Sequence, residues 1–206
     1  FIPVARITDL LLKAGERFDF DGTSYEYPDT KIVYWAGGNP FHHHQDLNRL
    51  VKAWQLPKTI IVNEIWWNAQ ARHADIILPA NTALERNDIM LNPRDPTIIA
   101  NKKTISSIGE SKSDFEIFSD LAKKIGFENS FTENKSELDW LKYLWNESKK
   151  VSEELNLELP EFDKFWDKGV FEVPIEKTKK IMFREFRNNP KKNPLNTPSG
   201  KIEITS

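Results

Sequence analysis

Lys31-Ile-Val-Tyr-Trp-Ala36, followed at once by Gly37-Gly38, is the stretch that decides the fold. A short apolar run with a β-branched centre, ended abruptly by glycines, reads as a buried strand. Working outward, Leu47, Leu50, Val51 and Trp54 recur at helical spacing. Thr59-Ile-Ile-Val62 and Ala74-Asp-Ile-Ile-Leu78, the latter stopped by Pro79, are two further buried runs. Strand, helix, strand, short link, strand is the progression that makes parallel sheets with helices on their faces. The expected fold is therefore α/β, a doubly wound, Rossmann-like cofactor-binding domain, with its sheet between residue 31 and about residue 105.

The flanks fit around that sheet. Upstream, Phe18-Asp-Phe-Asp21, Gly22 and Thr23-Ser-Tyr-Glu-Tyr27 predict a small hairpin within an entry segment, residues 1–30. Downstream, Ser113-Asp-Phe-Glu116 and Ser136-Glu-Leu-Asp139 are helix-opening signals. Phe115, Phe118, Leu121, Ala122 and Ile125 predict one apolar stripe, with Gly126 as the stop; Leu138, Leu141, Trp145 and Leu155 predict another. The α/β domain is thus expected over 31–155. Residues 156–206 hold five prolines and read as a connector to a following domain, ending in an alternating strand, Lys201-Ile-Glu-Ile-Thr205.

Composition narrows the function classes. With 29 basic and 31 acidic residues the net charge is −2, which does not favour nucleic acid as a partner. Thirteen Phe and seven Trp supply enough bulky apolar surface for a real core. No apolar run approaches the ~18 residues of a membrane span, and no signal peptide is recognisable between Phe1 and Ala36. The chain starts without Met and is read as an internal piece of a longer protein. Cysteine is absent, so disulfides, thiolate-bound iron–sulfur clusters and thiol catalysis are excluded within this chain.

In open parallel sheets, ligands sit beyond the carboxyl ends of the strands. Three such ends carry polar residues: Gly37-Gly-Asn-Pro-Phe-His-His-His-Gln-Asp46, then Asn63-Glu64, then Pro79-Ala-Asn-Thr82 leading to Glu85-Arg86. Gly37 and Gly38 let backbone approach a ligand closely. A helix starting near Asp46 offers free N–H groups to a phosphate. Glu64 sits where an acidic residue holds a ribose hydroxyl in dinucleotide folds, and its carboxylate can equally accept two bonds from guanine. Arg86 can pair with phosphate. The bland readings stand beside these: a simple Gly-Gly turn, a solvated Glu64, an Arg86 and a Glu85 that pair with neighbours on the surface, and an Asp114 that only serves the helix dipole. His42, His43 and His44 are adjacent in a loop and point apart, so no metal site is assigned to them. Hydrogen bonding to a cofactor suits them better.

Three strings carry a family resemblance: Trp35-Ala-Gly-Gly-Asn-Pro-Phe-His-His-His-Gln-Asp46 with Asn48-Arg49-Leu50; Ala71-Arg-His-Ala-Asp-Ile-Ile-Leu-Pro-Ala80 with Leu84-Glu-Arg-Asn-Asp88; and Asn196-Thr-Pro-Ser-Gly-Lys-Ile-Glu203. In order and spacing they resemble the sulfoxide and amine N-oxide reductase branch of the molybdopterin oxidoreductases. The resemblance implies a molybdenum enzyme with a bis-molybdopterin guanine dinucleotide cofactor, one dinucleotide of which this segment helps to hold. It implies oxygen-atom transfer from dimethyl sulfoxide, trimethylamine N-oxide or biotin sulfoxide. Carried over by position, the cofactor-binding candidates are Gly38, Asn39, His43, Asn63, Glu64, Arg86 and Asp114. Many relatives have Asp where this chain has Glu64. The resemblance also implies that the serine ligand to molybdenum lies upstream, that further domains of the same polypeptide complete the site, and that this piece alone is inactive. It admits a cytochrome as electron donor and favours a periplasmic setting over a cytoplasmic one without fixing either. The alternative is a non-catalytic dinucleotide-binding α/β module, weakened by the absence of Gly-x-Gly-x-x-Gly.

Overall fold

The computed structural model describes residues 2–174 and 181–204. By compactness it divides into Phe1–Glu172 and Val173–Ser206. The first unit opens with α1 (Ile7–Leu12), followed by the hairpin β1 (Arg17–Phe20) and β2 (Thr23–Glu26). Asp21 and Gly22, both at positive φ, form the two-residue turn whose twist matches a hairpin. Phe18 stacks on Tyr27 at 4.4 Å and closes the hairpin's apolar side.

The deciding stretch forms β3 (Ile32–Ala36). It leads through α2 (Pro40–His43) and α3 (Leu47–Ala53) to β4 (Thr59–Glu64) and then β5 (Ile76–Pro79). All three strands are parallel, with β4 central. Successive side chains on a strand face opposite ways, and the neighbours Tyr34 and Trp35 show what each face meets. Trp35 packs on Trp54 at the end of α3, with ring centroids 5.7 Å apart. Under that face Leu50, Ala53, Ile60 and Val62 form a buried cluster with Leu11 from α1. An ion pair from Arg49 to Asp9 ties α3 to α1 and holds the Asp9 carboxyl below its usual range.

The strand order follows the chain order. The reversal that defines a doubly wound sheet does not occur among the described residues. The chain also leaves the parallel sheet earlier than its sequence suggests. β6 (Asp88–Asn92) and β7 (Asp95–Asn101) form an antiparallel pair in a separate sheet. Then come α4 (Asp114–Lys124), α5 (Glu128–Thr132), α6 (Glu137–Glu154), α7 (Phe162–Lys168) and β8 (Val170–Glu172). β8 pairs with β7, so residues read as connector contribute a helix and a strand. This half has its own core, in which Trp145 stacks on Phe165 at 3.9 Å beside Leu141, Leu159 and Phe162.

Both helix-opening signals form complete capping boxes, Ser113 with Glu116 and Ser136 with Asp139. The stripes are displaced. In α4, Ile117 and Ala122 are buried while Leu121 and Ile125 are exposed, because Phe118 reaches Tyr34 on the second sheet face at 5.2 Å and sets the helix's rotation. Leu121 instead borders a groove of about 460 Å³ with Leu78 and Pro79. In α6, Leu141 and Trp145 are buried, whereas Leu138 and Leu155 are exposed.

In the second unit, α8 (Arg184–Asn188) precedes a turn closed by the Leu195 N–H donating to the Gly200 carbonyl at 2.9 Å. The expected strand at 201–205 does not form over 201–204; Thr205 lies outside the described residues. No helix among the described residues is long and apolar enough to cross a membrane.

Candidate functional site

The register fixes which residues share an edge. Ala36 pairs with Asn63, Asn63 with Leu78, and Glu64 with Pro79. Because the strands are parallel, the Gly37-Gly38 loop, Asn63-Glu64 and the Pro79–Arg86 turn all leave the same rim. Gly37 and Gly38 have φ of +75° and +68°, a region that side chains with a Cβ rarely adopt, and among the described residues no atom beyond the adjacent residues lies within 4 Å of where either Cβ would be. The backbone there is open to a ligand. It is fixed from behind: the Trp35 indole N–H donates to the Gly37 carbonyl at 2.7 Å. The fully buried Gln70, its amide turned to suit its neighbours, donates to the Gly38 carbonyl at 3.0 Å. Asn39 caps α2, its Oδ1 accepting from the Phe41 N–H at 3.0 Å. His43 is exposed on that short helix. The His42 and His43 rings lie 6.4 Å apart, tilted by 52°. No group of three His, Cys, Asp or Glu suited to a metal ion occurs among the described residues.

The two carboxylates singled out in the sequence differ in how much of each remains free. Glu64 Oε1 accepts from the Ile65 and Trp66 N–H groups at 2.8 and 3.3 Å, and Oε2 from the Asn68 amide at 2.8 Å. It folds its own loop and holds up Trp66 and Trp67, which are 70% and 67% exposed. One acceptor position on Oε2 is left for anything else. Asp114 opens α4 and, among the described residues, accepts a single bond, from the Asn63 amide to Oδ1 at 2.7 Å. Asn63 is in turn oriented by the Tyr34 hydroxyl, which donates to Asn63 Oδ1 at 3.0 Å. Burial raises the Tyr34 phenol above its ordinary value; the bond to Asn63 opposes this and the Asp114 charge adds to it. The phenol therefore keeps its proton and the Tyr34–Asn63–Asp114 relay has one direction, ending on a carboxylate with Oδ2 unpartnered among the described residues.

Asp114 and Arg86 line one cleft of about 260 Å³, walled on the far side by Trp140 and Leu141 of α6. Arg86 is held in place by a bond from its guanidinium to the Asn81 carbonyl at 2.9 Å and by Asp88 at 3.3 Å. Of the expected surface pairings with neighbours, that of Arg86 forms, with Asp88, and that of Glu85 does not. Glu85 is only 3% exposed and bonds to neutral donors instead. The structure thus brings Asn63, Asp114 and Arg86 together, sets Gly38, Asn39 and His43 on the adjoining strand end, and gives Glu64 mainly to its own loop. Sequence reading missed Tyr34, Gln70 and Glu85. Gln70 stands beside a motif string and Glu85 within one, but neither residue's burial can be read from sequence.

The sequence profile described as molybdopterin oxidoreductase matches residues 18–124, just over half of the chain. The chain belongs to the molybdopterin oxidoreductase family. Among relatives of this molybdopterin oxidoreductase chain is the dimethyl sulfoxide/trimethylamine N-oxide reductase of Cereibacter sphaeroides, 46% identical over 208 residues and covering 100% of this chain and 25% of that protein. The biotin sulfoxide reductase of the same organism is 44% identical, covering 100% and 28%. The trimethylamine-N-oxide reductase of Haemophilus influenzae is 46% identical, covering 99% and 25%. The resemblance read from the three motif strings is therefore borne out. The chain spans about a quarter of the length of these relatives. Acetylene hydratase from Pelobacter acetylenicus shares the fold, with a TM-score of 0.56 at 18% identity, over 86% of this chain and 22% of that structure. All seven candidate residues fall inside the matched stretch.

Proposed function

We propose that this chain holds the nucleotide end of a molybdopterin guanine dinucleotide within a molybdenum-dependent reductase of S-oxides or N-oxides. The observation that carries the reading is the rim itself. An open Gly37-Gly38 backbone, a carboxylate with a free edge at Asp114 and a fixed cation at Arg86 all belong to one end of a parallel sheet. The donor set fits the group. Guanine presents N1–H and an exocyclic amine side by side, and the unpartnered side of Asp114 can accept both. Arg86 supplies positive charge for phosphate, and Gly38, Asn39 and His43 offer backbone and ring N–H groups at the end of β3 on the same rim. Glu64 contributes through its one remaining acceptor, on Oε2.

When bound, the molybdenum cofactor supplies the oxygen-atom transfer chemistry. The residues of this chain bind and orient its nucleotide end, and Trp140 and Leu141 limit water access to the cleft. The names of the relatives support dimethyl sulfoxide, trimethylamine N-oxide or biotin sulfoxide as substrate class. We further propose that the three parallel strands are part of a doubly wound sheet completed in the intact protein, that its other domains close the cofactor site, and that electrons arrive from a cytochrome. The test is Asp114→Asn and Glu64→Gln in the intact protein, assaying molybdenum and guanine retained per polypeptide after purification. Asp114→Asn is expected to lose most of both and Glu64→Gln less. Full retention in both variants would end the proposal.

A further inference from the structure

We propose that Glu85 is a positioning residue, holding in register the two chain segments that carry Arg86 and Asp114 across the cleft. The inference rests on the reading that these two residues grip the guanine nucleotide. Glu85 closes the turn after β5 by accepting from the Thr82 N–H at 2.8 Å and the Thr82 hydroxyl at 2.7 Å, both on Oε2. Its Oε1 accepts from the Ile108 N–H at 2.7 Å and the Ser111 hydroxyl at 3.1 Å. All four donors are neutral, and each oxygen takes two. One bound segment continues directly into Arg86. The other runs from Ser111 through Lys112 and Ser113 to Asp114.

Two backbone bonds extend the same junction: Lys112 N–H to the Pro79 carbonyl at 3.1 Å and Asn81 N–H to the Lys112 carbonyl at 2.9 Å. Arg86 in turn leans on the Asn81 carbonyl. The Glu85 carboxyl is held down at about 2 by the Thr82 bonds first, then those from Ile108 and Ser111, so it is ionised at neutral pH. A carboxylate suits this place because it presents two equivalent acceptor oxygens. A glutamine would set its NH₂ against the backbone N–H of Thr82 or of Ile108, which cannot turn to accept as the hydroxyls can, and a buried donor facing a donor pushes the segments apart. The spacing between the Arg86 guanidinium and the Asp114 carboxylate would change with it.

The readout that separates positioning from mere stability is base discrimination. The intact protein, stripped of cofactor, is titrated calorimetrically with GDP and with inosine diphosphate, which lacks the exocyclic amine but keeps N1–H. The parent is expected to prefer GDP by about tenfold or more, the worth of one charge-assisted bond. Asp114→Asn should bring the ratio close to one, and Glu85→Gln should lower it by about threefold or more. Ser111→Ala, which removes one donor and leaves the carboxylate in place, should lower it less; it carries the test by the same criterion if Glu85→Gln does not fold. An unchanged ratio in the Glu85 variant beside a collapsed ratio in Asp114→Asn overturns the positioning role and leaves the nucleotide reading intact. An unchanged ratio in Asp114→Asn overturns the nucleotide reading itself, and this inference with it.

Discussion

The parallel half of the molecule and the antiparallel half solve different problems. Around β3, β4 and β5 the apolar cluster lies beneath the sheet, and the strand ends carry polar side chains that bridge between segments: Tyr34 to Asn63, Asn63 to Asp114, Gln70 to Gly38. Around β6, β7 and β8 the contacts are mostly aromatic packing, with Trp145 and Phe165 at the centre. The first half presents acceptors and open backbone. The second is a scaffold that supplies one wall of the cleft through Trp140 and Leu141. Substitutions in the scaffold should therefore show up in stability, and substitutions on the rim in binding.

The largest effect expected is from Trp145→Ala. Its ring is 2% exposed, and its indole N–H donates to the Pro160 carbonyl at 2.9 Å. Emptying such a site costs about 3–5 kcal/mol. Chemical denaturation should report that loss, and hydrogen exchange should report weakened protection first in β7 and β8. Protection lost equally in β4 would mean that the two halves are one cooperative unit and would break the comparison.

Next is the acid limb of stability. The Glu85 carboxyl is held at about 2, below its ordinary value of 4.5. A depressed carboxylate adds stability above its unfolded pKa and loses it as pH falls toward the folded one. Its contribution should thus be complete above about pH 4.5 and vanish toward pH 2. Glu85→Gln should be less stable than the parent at neutral pH, and the difference should shrink over that window. A constant difference from pH 7 to 2 would show that the charge on Glu85 is not what holds the turn.

A smaller effect sharpens the contrast between two identical devices. Ser113 and Ser136 both cap helices with a capping box, but Ser113 is buried on the rim and Ser136 is exposed. Ser113→Ala should cost about 1–2 kcal/mol and Ser136→Ala about 0.5–1. Denaturation midpoints check this, and equal costs would place no special demand on the rim. Smallest is Lys112→Ala. It removes the exposed ion pair with Asp120 at 2.6 Å, and any change should fade as salt is added.

How much of this was legible in the sequence follows from where the information lay. β3 and β4 could be read because their runs are β-branched and end at Gly37 and at Asn63-Glu64, although only β4 is buried and β3 is exposed or half-buried along its length. The hairpin could be read from Asp21-Gly22, and both capping boxes from four-residue signals. β8 could not, since Val170-Phe-Glu172 is three residues long and becomes a strand only by pairing with Thr97, Ile98 and Ile99 some seventy residues earlier. The hairpin of β6 and β7 is local, with Asn92 facing Asp95, and its sequence reads instead as a continuation of the parallel sheet. At the rim, local motifs pointed to the right positions but not to their contacts. Asp114 looks like any first-turn acid until Asn63 is brought beside it, and Glu64 looks free until its own loop folds back onto it. Glu85 looks like a surface acid pairing with its neighbours because only the fold brings Ile108 and Ser111 to it.

The central claim is that the free side of Asp114 meets guanine. A crystal structure of the intact protein with its cofactor tests it most directly. The prediction is that guanine N1 and the exocyclic amine nitrogen lie at about 2.7–3.0 Å from the Asp114 carboxylate oxygens, with the Arg86 guanidinium on the phosphate side. A guanine ring bound elsewhere, with Asp114 facing only solvent, would contradict the account.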